Sequence, residues 1–143
     1  MNADERMRTG VPDETGPSPD TAPVDVAAVR RVIDRAPVQG PLRRHEEYAA
    51  LERALCGHIE ALLPHVAAAT TRLPRGAVDR YRRRAWLDGV RVRLAHGLGD
   101  GLVSAHTQVT ALARDCRTLL HHYRAQQRDR HGRQPGQRRE ADR

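Results

Sequence analysis

Seven positions constrain this chain more than any other feature. Leu102, Ala105, Val109, Leu112, Cys116, Leu119 and Tyr123 follow one another at intervals of 3, 4, 3, 4, 3 and 4. At 3.6 residues per turn that spacing gathers all seven on one face of a helix. A strand would turn alternate members to opposite sides of a sheet, so β-structure cannot use the pattern. A helix over 102–127 carrying so long a stripe has to bury it against other helices.

Three further segments have helical periodicity, and none alternates with a period of two. Val26, Val29, Val32, Ile33 and Ala36 mark a short helix over 24–36, ended by Pro37, Gly40 and Pro41. Leu51, Leu55, Leu62, Val66, Ala69 and Leu73 mark a second over 44–72, with Ile59 at one edge of its apolar face. Pro64 lies inside it and predicts a kink near Glu60–Pro64. A third helix, over 77–96, is apolar on two sides. Leu87, Val90 and Leu94, continued by Leu98, share one face, and Val78, Tyr81, Ala85 and Val92 lie opposite. The short turns at 73–76 and 97–101 predict antiparallel neighbours. The expected fold is therefore all-α: an antiparallel three-helix up-down-up bundle, with the short N-terminal helix across its open groove.

The 143 residues suffice for one domain. Residues 1–22, with Pro12, Pro17 and Pro19, carry two arginines against five acids and read as a disordered acidic tail. Residues 128–143, with six arginines against three acids, read as a disordered basic tail, which leaves 23–127 as the bundle domain. No run of eighteen apolar residues occurs and Met1–Gly10 lacks an apolar core, so neither a membrane span nor a secretory leader is expected. Cys56 and Cys116, sixty residues apart, suit neither a disulfide framework nor a zinc site. A cytoplasmic location with reduced thiols follows as the expectation. All 25 basic residues are arginine and Phe is absent, the signature of GC-rich coding, so arginine number alone does not argue for a ligand.

Few residues invite chemistry. Ser104 and His106 are two apart, on different helix faces, with no nucleophile elbow. Gly97, Gly99 and Gly101 lack the preceding strand and third glycine of a dinucleotide fingerprint and read as an interhelix loop with a C-cap glycine. Among eight histidines, His58, His65 and His122 are the candidates for a polar pocket, with His65 and His121 or His122 at matching heights in the bundle. No ligand follows at i+3 or i+4 to complete a tetrahedral set, so no metal or other cofactor is assigned and no catalytic residue is named. The expected state of these histidines is at the core border with one ring nitrogen hydrogen-bonded. Arg80, Arg84 and Arg91 share a flank of the third helix and are the candidate phosphate contacts, while Arg75, Arg82 and Arg93 are expected to cover the other flank with their guanidiniums in water.

Two surfaces exceed the needs of a three-helix core. One is a stripe of small residues on the second helix, Ala50, Ala54, Gly57, Ala61, Pro64 and Ala68, which would let a neighbouring helix approach closely. The other is the second apolar face of the third helix, Val78, Tyr81, Ala85 and Val92. The first helix is expected to cover one and a protein partner or second copy the other.

Three segments bear a resemblance. Leu55-Cys56-Gly57-His58-Ile59-Glu60-Ala61-Leu62-Leu63-Pro64-His65-Val66 resembles L-R-G-H-x-x-x-L-I-P-E-V. Asp88-Gly89-Val90-Arg91-Val92-Arg93-Leu94 resembles G-E-A-R-x-R-L, and Ala113-Arg114 with Leu119-Leu120-His121-His122-Tyr123 resembles A-R-x-x-x-x-L-C-D-H-Y. In this order they are similar to a family of small uncharacterised helical proteins from high-GC Gram-positive bacteria, a domain of unknown function sometimes labelled as associated with natural-product biosynthesis. The likeness spans about residues 24–125 and departs at Cys56, His65 and Gly89. It implies a fold and a lineage, and no catalytic residue.

The expectation is a non-enzymatic helical interaction module, accessory or regulatory, for a natural-product pathway. A nucleic-acid-associated regulator using the third helix and the C-terminal arginines is the first alternative; a small-molecule binder or enzyme around His58, His65 and His122 is the second.

Overall fold

The computed structural model describes residues 23–37 and 39–132. Among them are four helices and no strand: α1 (Val26–Arg35), α2 (His45–Thr71), α3 (Val78–His96) and α4 (Gly101–Gly132). The expected tails at 1–22 and 133–143 lie outside the described residues. α4 runs five residues past its expected end at 127, because Arg128–Gly132, polar as they are, hold no residue that stops a helix before Gly132.

Local chemistry explains the boundaries. Asp25 caps α1 by accepting the Ala28 N–H at 3.1 Å. Ala36, preceding a proline, takes the extended conformation that such residues favour and ends it. Gly97 ends α3 at φ +78° and ψ −178°, a region essentially reserved for glycine. Pro64 lies within α2, which runs as one helix from His45 before it to Thr71 after it.

The core sits between α2 and α4. Leu55, Ile59, Leu62 and Val66 from α2 meet Ala105, Val109, Leu112, Cys116 and Leu119 from α4, all fully buried. Ile59 lies in the middle of the α2 face instead of at its edge, since α2 is contacted by all three other helices. Tyr48 extends that face by one turn. Its ring is fully buried, and its hydroxyl accepts the Arg43 N–H at 2.9 Å while Nδ1 of His106 stands 3.0 Å away. Leu102, the first member of the α4 stripe, is 38% exposed, because the helix begins before its neighbours cover it.

α1 packs on both α2 and α4 through Val29, Val32 and Ile33. Two bonds tie down its surroundings: Val24 N–H donates to the Tyr123 hydroxyl at 3.3 Å, and the Thr110 hydroxyl donates to the Pro37 carbonyl at 3.3 Å.

α3 is held differently. It fully buries only Leu87 and Val90. Its second anchorage is polar: Arg93 grips Asp115 of α4 with two bonds, Nε to Oδ2 at 2.5 Å and Nη2 to Oδ1 at 2.9 Å. Gln108 of α4 adds a bond from Nε2 to the Arg93 carbonyl at 2.7 Å. Trp86, midway along α3, faces His122 with ring centroids 6.0 Å apart.

Candidate functional site

The small-residue stripe of α2 turns away from the core. Ala50, Gly57 and Ala61 are exposed, and Ala54, Pro64 and Ala68 are half-buried. A Cβ added at Gly57 would meet nothing within 4 Å. The expectation that a helix approaches closely here is corrected, and α1 covers neither candidate surface. In a chain with twenty alanines, small residues in register are as compatible with a solvated face as with a tight contact.

The second apolar face of α3 is open. Val78, Tyr81 and Val92 are 60%, 77% and 68% exposed, and Ala85 is exposed with them. At 1.5 Å per residue the stripe from 78 to 92 is about 21 Å long. A hollow of about 710 Å³ lies at its N-terminal half, lined by Val78, Tyr81, Ala85, Arg80, Arg84 and Asp88 among others. Arg80 and Arg84 border this face beside Asp88, so its rim is basic on that side.

Arg80, Arg84 and Arg91 do converge, on a second hollow between α3 and the end of α2. Its other lining is less suited to an anion. Arg91 is engaged by Asp88 at 3.2 Å. The Thr70 and Thr71 hydroxyls donate to the Val66 and Ala67 carbonyls, so they turn lone pairs outward. The C-terminal end of α2 adds its negative partial charge. Those three arginines thus complement a helix terminus.

His58, His65 and His122 are not brought together. His58 lines a hollow against Ala28, Arg31, Val32 and Arg35 of α1. His65 is 2% exposed inside the bundle, its ring edge-on to Tyr123 at 4.8 Å, and neither ring nitrogen has a partner. The expectation of one hydrogen-bonded nitrogen is therefore wrong for His65. His122 turns instead towards α3, between Trp86 and His121. Its pKa is lowered from the usual 6.5 by burial, then by the Arg83 guanidinium and by His121. Tyr123, and neither His121 nor His122, faces His65: one residue along a helix is a rotation of 100°.

Other reactive groups have structural tasks. The Ser104 hydroxyl donates to the Leu98 carbonyl at 2.8 Å and closes the α3–α4 loop, whereas His106 pairs with Tyr48. Burial, aided by Glu52 and Glu60, pushes the Cys56 thiol up to about 11, and burial pushes Cys116 up to about 12. Neither is a thiolate near neutral pH, as a nucleophile has to be. Among the described residues no three His, Cys, Asp or Glu side chains are grouped to hold a metal, and no helix is long and apolar enough to cross a membrane.

Arg93–Asp115 was missed by sequence reasoning, which left the Arg93 guanidinium in water. Its signal was Gln108 and Asp115, two polar residues seven apart beside the α4 stripe, on the flank that faces α3.

The sequence profile of the Family of unknown function (DUF6415) matches residues 6–128. The chain belongs to that family. The DUF6415 match takes in all of α1, α2 and α3 and α4 as far as Arg128. Comparison of this DUF6415 chain with curated proteins and with solved structures gives no match.

Proposed function

We propose that the chain is a non-enzymatic helical interaction module that receives a protein partner on the outer face of α3. The observation that carries this reading is the row Val78, Tyr81, Ala85 and Val92, apolar and exposed on a helix whose inner face is already seated. Large apolar side chains grouped on a surface are the usual mark of an interaction site. Tyr81, with one amphipathic ring and few rotamers to freeze, is the natural anchor. The arginines along the border oppose pairing of two copies through this face, so the partner is a different protein with carboxylates around an apolar strip.

The bundle frame for this face is up-down-up. Paired numbers rise together along α2 and α4 (Tyr48 with His106, His65 with Tyr123), and run in opposition along α3 and α4 (Trp86 with His122, Arg93 with Asp115 and Gln108). We place the module in the cytoplasm of a high-GC Gram-positive bacterium as an accessory or regulatory protein of natural-product biosynthesis. The lysine-free composition and the three motif segments support that placement.

Affinity capture with Tyr81→Asp/Val92→Asp beside the unaltered chain tests the reading. Both side chains are exposed, so the variant should melt within about 0.5 kcal/mol of the parent, yet lose a protein that the parent retains. Retention of the same proteins by both forms would sink the proposal.

A further inference from the structure

α1 and α4 line a hollow of about 310 Å³. Its rim is almost wholly cationic: Arg30 comes from α1, and Arg117, Arg124 and Arg128 from α4, with His121 between them. Steps of 4, 3 and 4 from Arg117 through His121 and Arg124 to Arg128 place these four on one stripe of α4. At 1.5 Å per residue the stripe spans about 16 Å. Ile33 and Leu120, each 5% exposed, form an apolar floor.

Little on the protein balances this charge. Asp34 is the one carboxylate on the rim, and α4 carries none between Asp115 and Asp129. Among the described residues, the ion pairs are Arg44–Glu47, Arg91–Asp88 and Arg93–Asp115, so none of these four arginines is engaged. Four guanidiniums line one hollow over apolar side chains, and an anion between them would relieve their mutual repulsion. No hydroxyl lines this hollow, whereas Thr70 and Thr71 line the one beside Arg80, Arg84 and Arg91.

We propose that this hollow is a binding site for a small ligand bearing two or more linked phosphate groups. A guanidinium is a planar fork that bonds phosphate oxygens in pairs, and several in a row match successive phosphates better than a single carboxylate. The volume is at the lower end of the range for small-ligand sites, about 300–1,000 Å³, so a compact head group fits. The site shares no residue with the outer face of α3, and it stands whether or not a protein docks there.

Calorimetric titration of the full chain with inorganic tripolyphosphate tests the proposal, with a nucleoside triphosphate in a parallel arm to distinguish a free oligophosphate from a nucleotide. Tripolyphosphate should bind one to one and raise the melting temperature by mass action. Arg117→Gln/Arg124→Gln should weaken it at least about tenfold, Arg124→Lys should lie between, and Arg80→Gln/Arg84→Gln should leave it unchanged. Circular dichroism melts of each variant separate lost binding from lost folding. No binding by ~1 mM would overturn the proposal. So would equal weakening by the α3 variant, which would mean a diffuse field, or tighter binding of duplex DNA than of tripolyphosphate, which would mean a nucleic-acid surface. A gain of about tenfold on neutralising Asp13, Glu14 and Asp20 would identify the chain's own acidic segment as the occupant, also against the proposal.

Discussion

Replacing His65 by leucine should make this protein more stable. The imidazole is 2% exposed and both ring nitrogens are sealed from solvent without a partner. A buried polar atom left unpaired costs about 1–3 kcal/mol, so the two together cost about 2–6. Leucine, of similar bulk, removes that cost. It gives up the edge contact with Tyr123, worth about 0.5–1.5 kcal/mol, and loses up to about 1 from imperfect shape. The balance favours the variant by about 2 kcal/mol. With a urea slope of about 1–3 kcal/mol per molar, the unfolding midpoint should rise by about 1 M. His65→Phe, which keeps an aromatic edge against Tyr123, should gain as much or more. A midpoint that stays put or falls in both variants would refute the reasoning, for it would mean that the ring nitrogens are satisfied in solution.

Three further outcomes are expected. Arg93→Ala leaves Asp115 buried without its partner and should destabilise the fold by about 2–4 kcal/mol, discounted from the fully buried case because Arg93 is partly exposed; Arg93→Met/Asp115→Leu should recover most of that in chemical denaturation. Gly57→Ala should raise stability by about 0.5–1 kcal/mol, since helix propensity improves and nothing stands near the new methyl group; a lower melting temperature would show a hidden contact. His122 has a folded pKa below its unfolded value of 6.5, so its contribution is intact above that pH. Below it the unfolded chain takes up the proton first, and stability falls until the folded pKa is passed. His122→Gln should flatten unfolding midpoints measured across that window.

The sequence reading succeeded where one helix decides the answer. Ala105, Val109, Leu112, Cys116, Leu119 and Tyr123 are buried because a 3–4 spacing defines a face without reference to anything else. Pro37 and Gly97 mark ends for equally local reasons. It failed where the rotation of one helix against another decides. His65 meets Tyr123 and not its neighbour His122, and Arg93 meets Asp115, because interhelix angles set these pairs. The small-residue stripe misled because alanine favours neither side of a helix boundary. The basic hollow was invisible for two reasons: its halves lie more than eighty residues apart, and Arg128 was assigned to a tail.

A helix apolar on opposite sides raises a question of handedness in assembly: hydrophobic burial alone does not decide which side faces inward. Half a turn of α3 about its axis would sink Tyr81, Ala85 and Val92 and present Leu87, Val90 and Leu94 to water. That turn would also swing Arg93 clear of Asp115 and strand a carboxylate that is 4% exposed. The ion pair therefore acts as a key that selects one seating of α3, and so decides which residues any partner meets. In Arg93→Ala/Asp115→Ala, which removes the pair and puts no long apolar contact in its place, the gap between the two seatings should narrow, and α3 amides should double in an NMR spectrum. A single set of signals would show that packing chooses the side unaided.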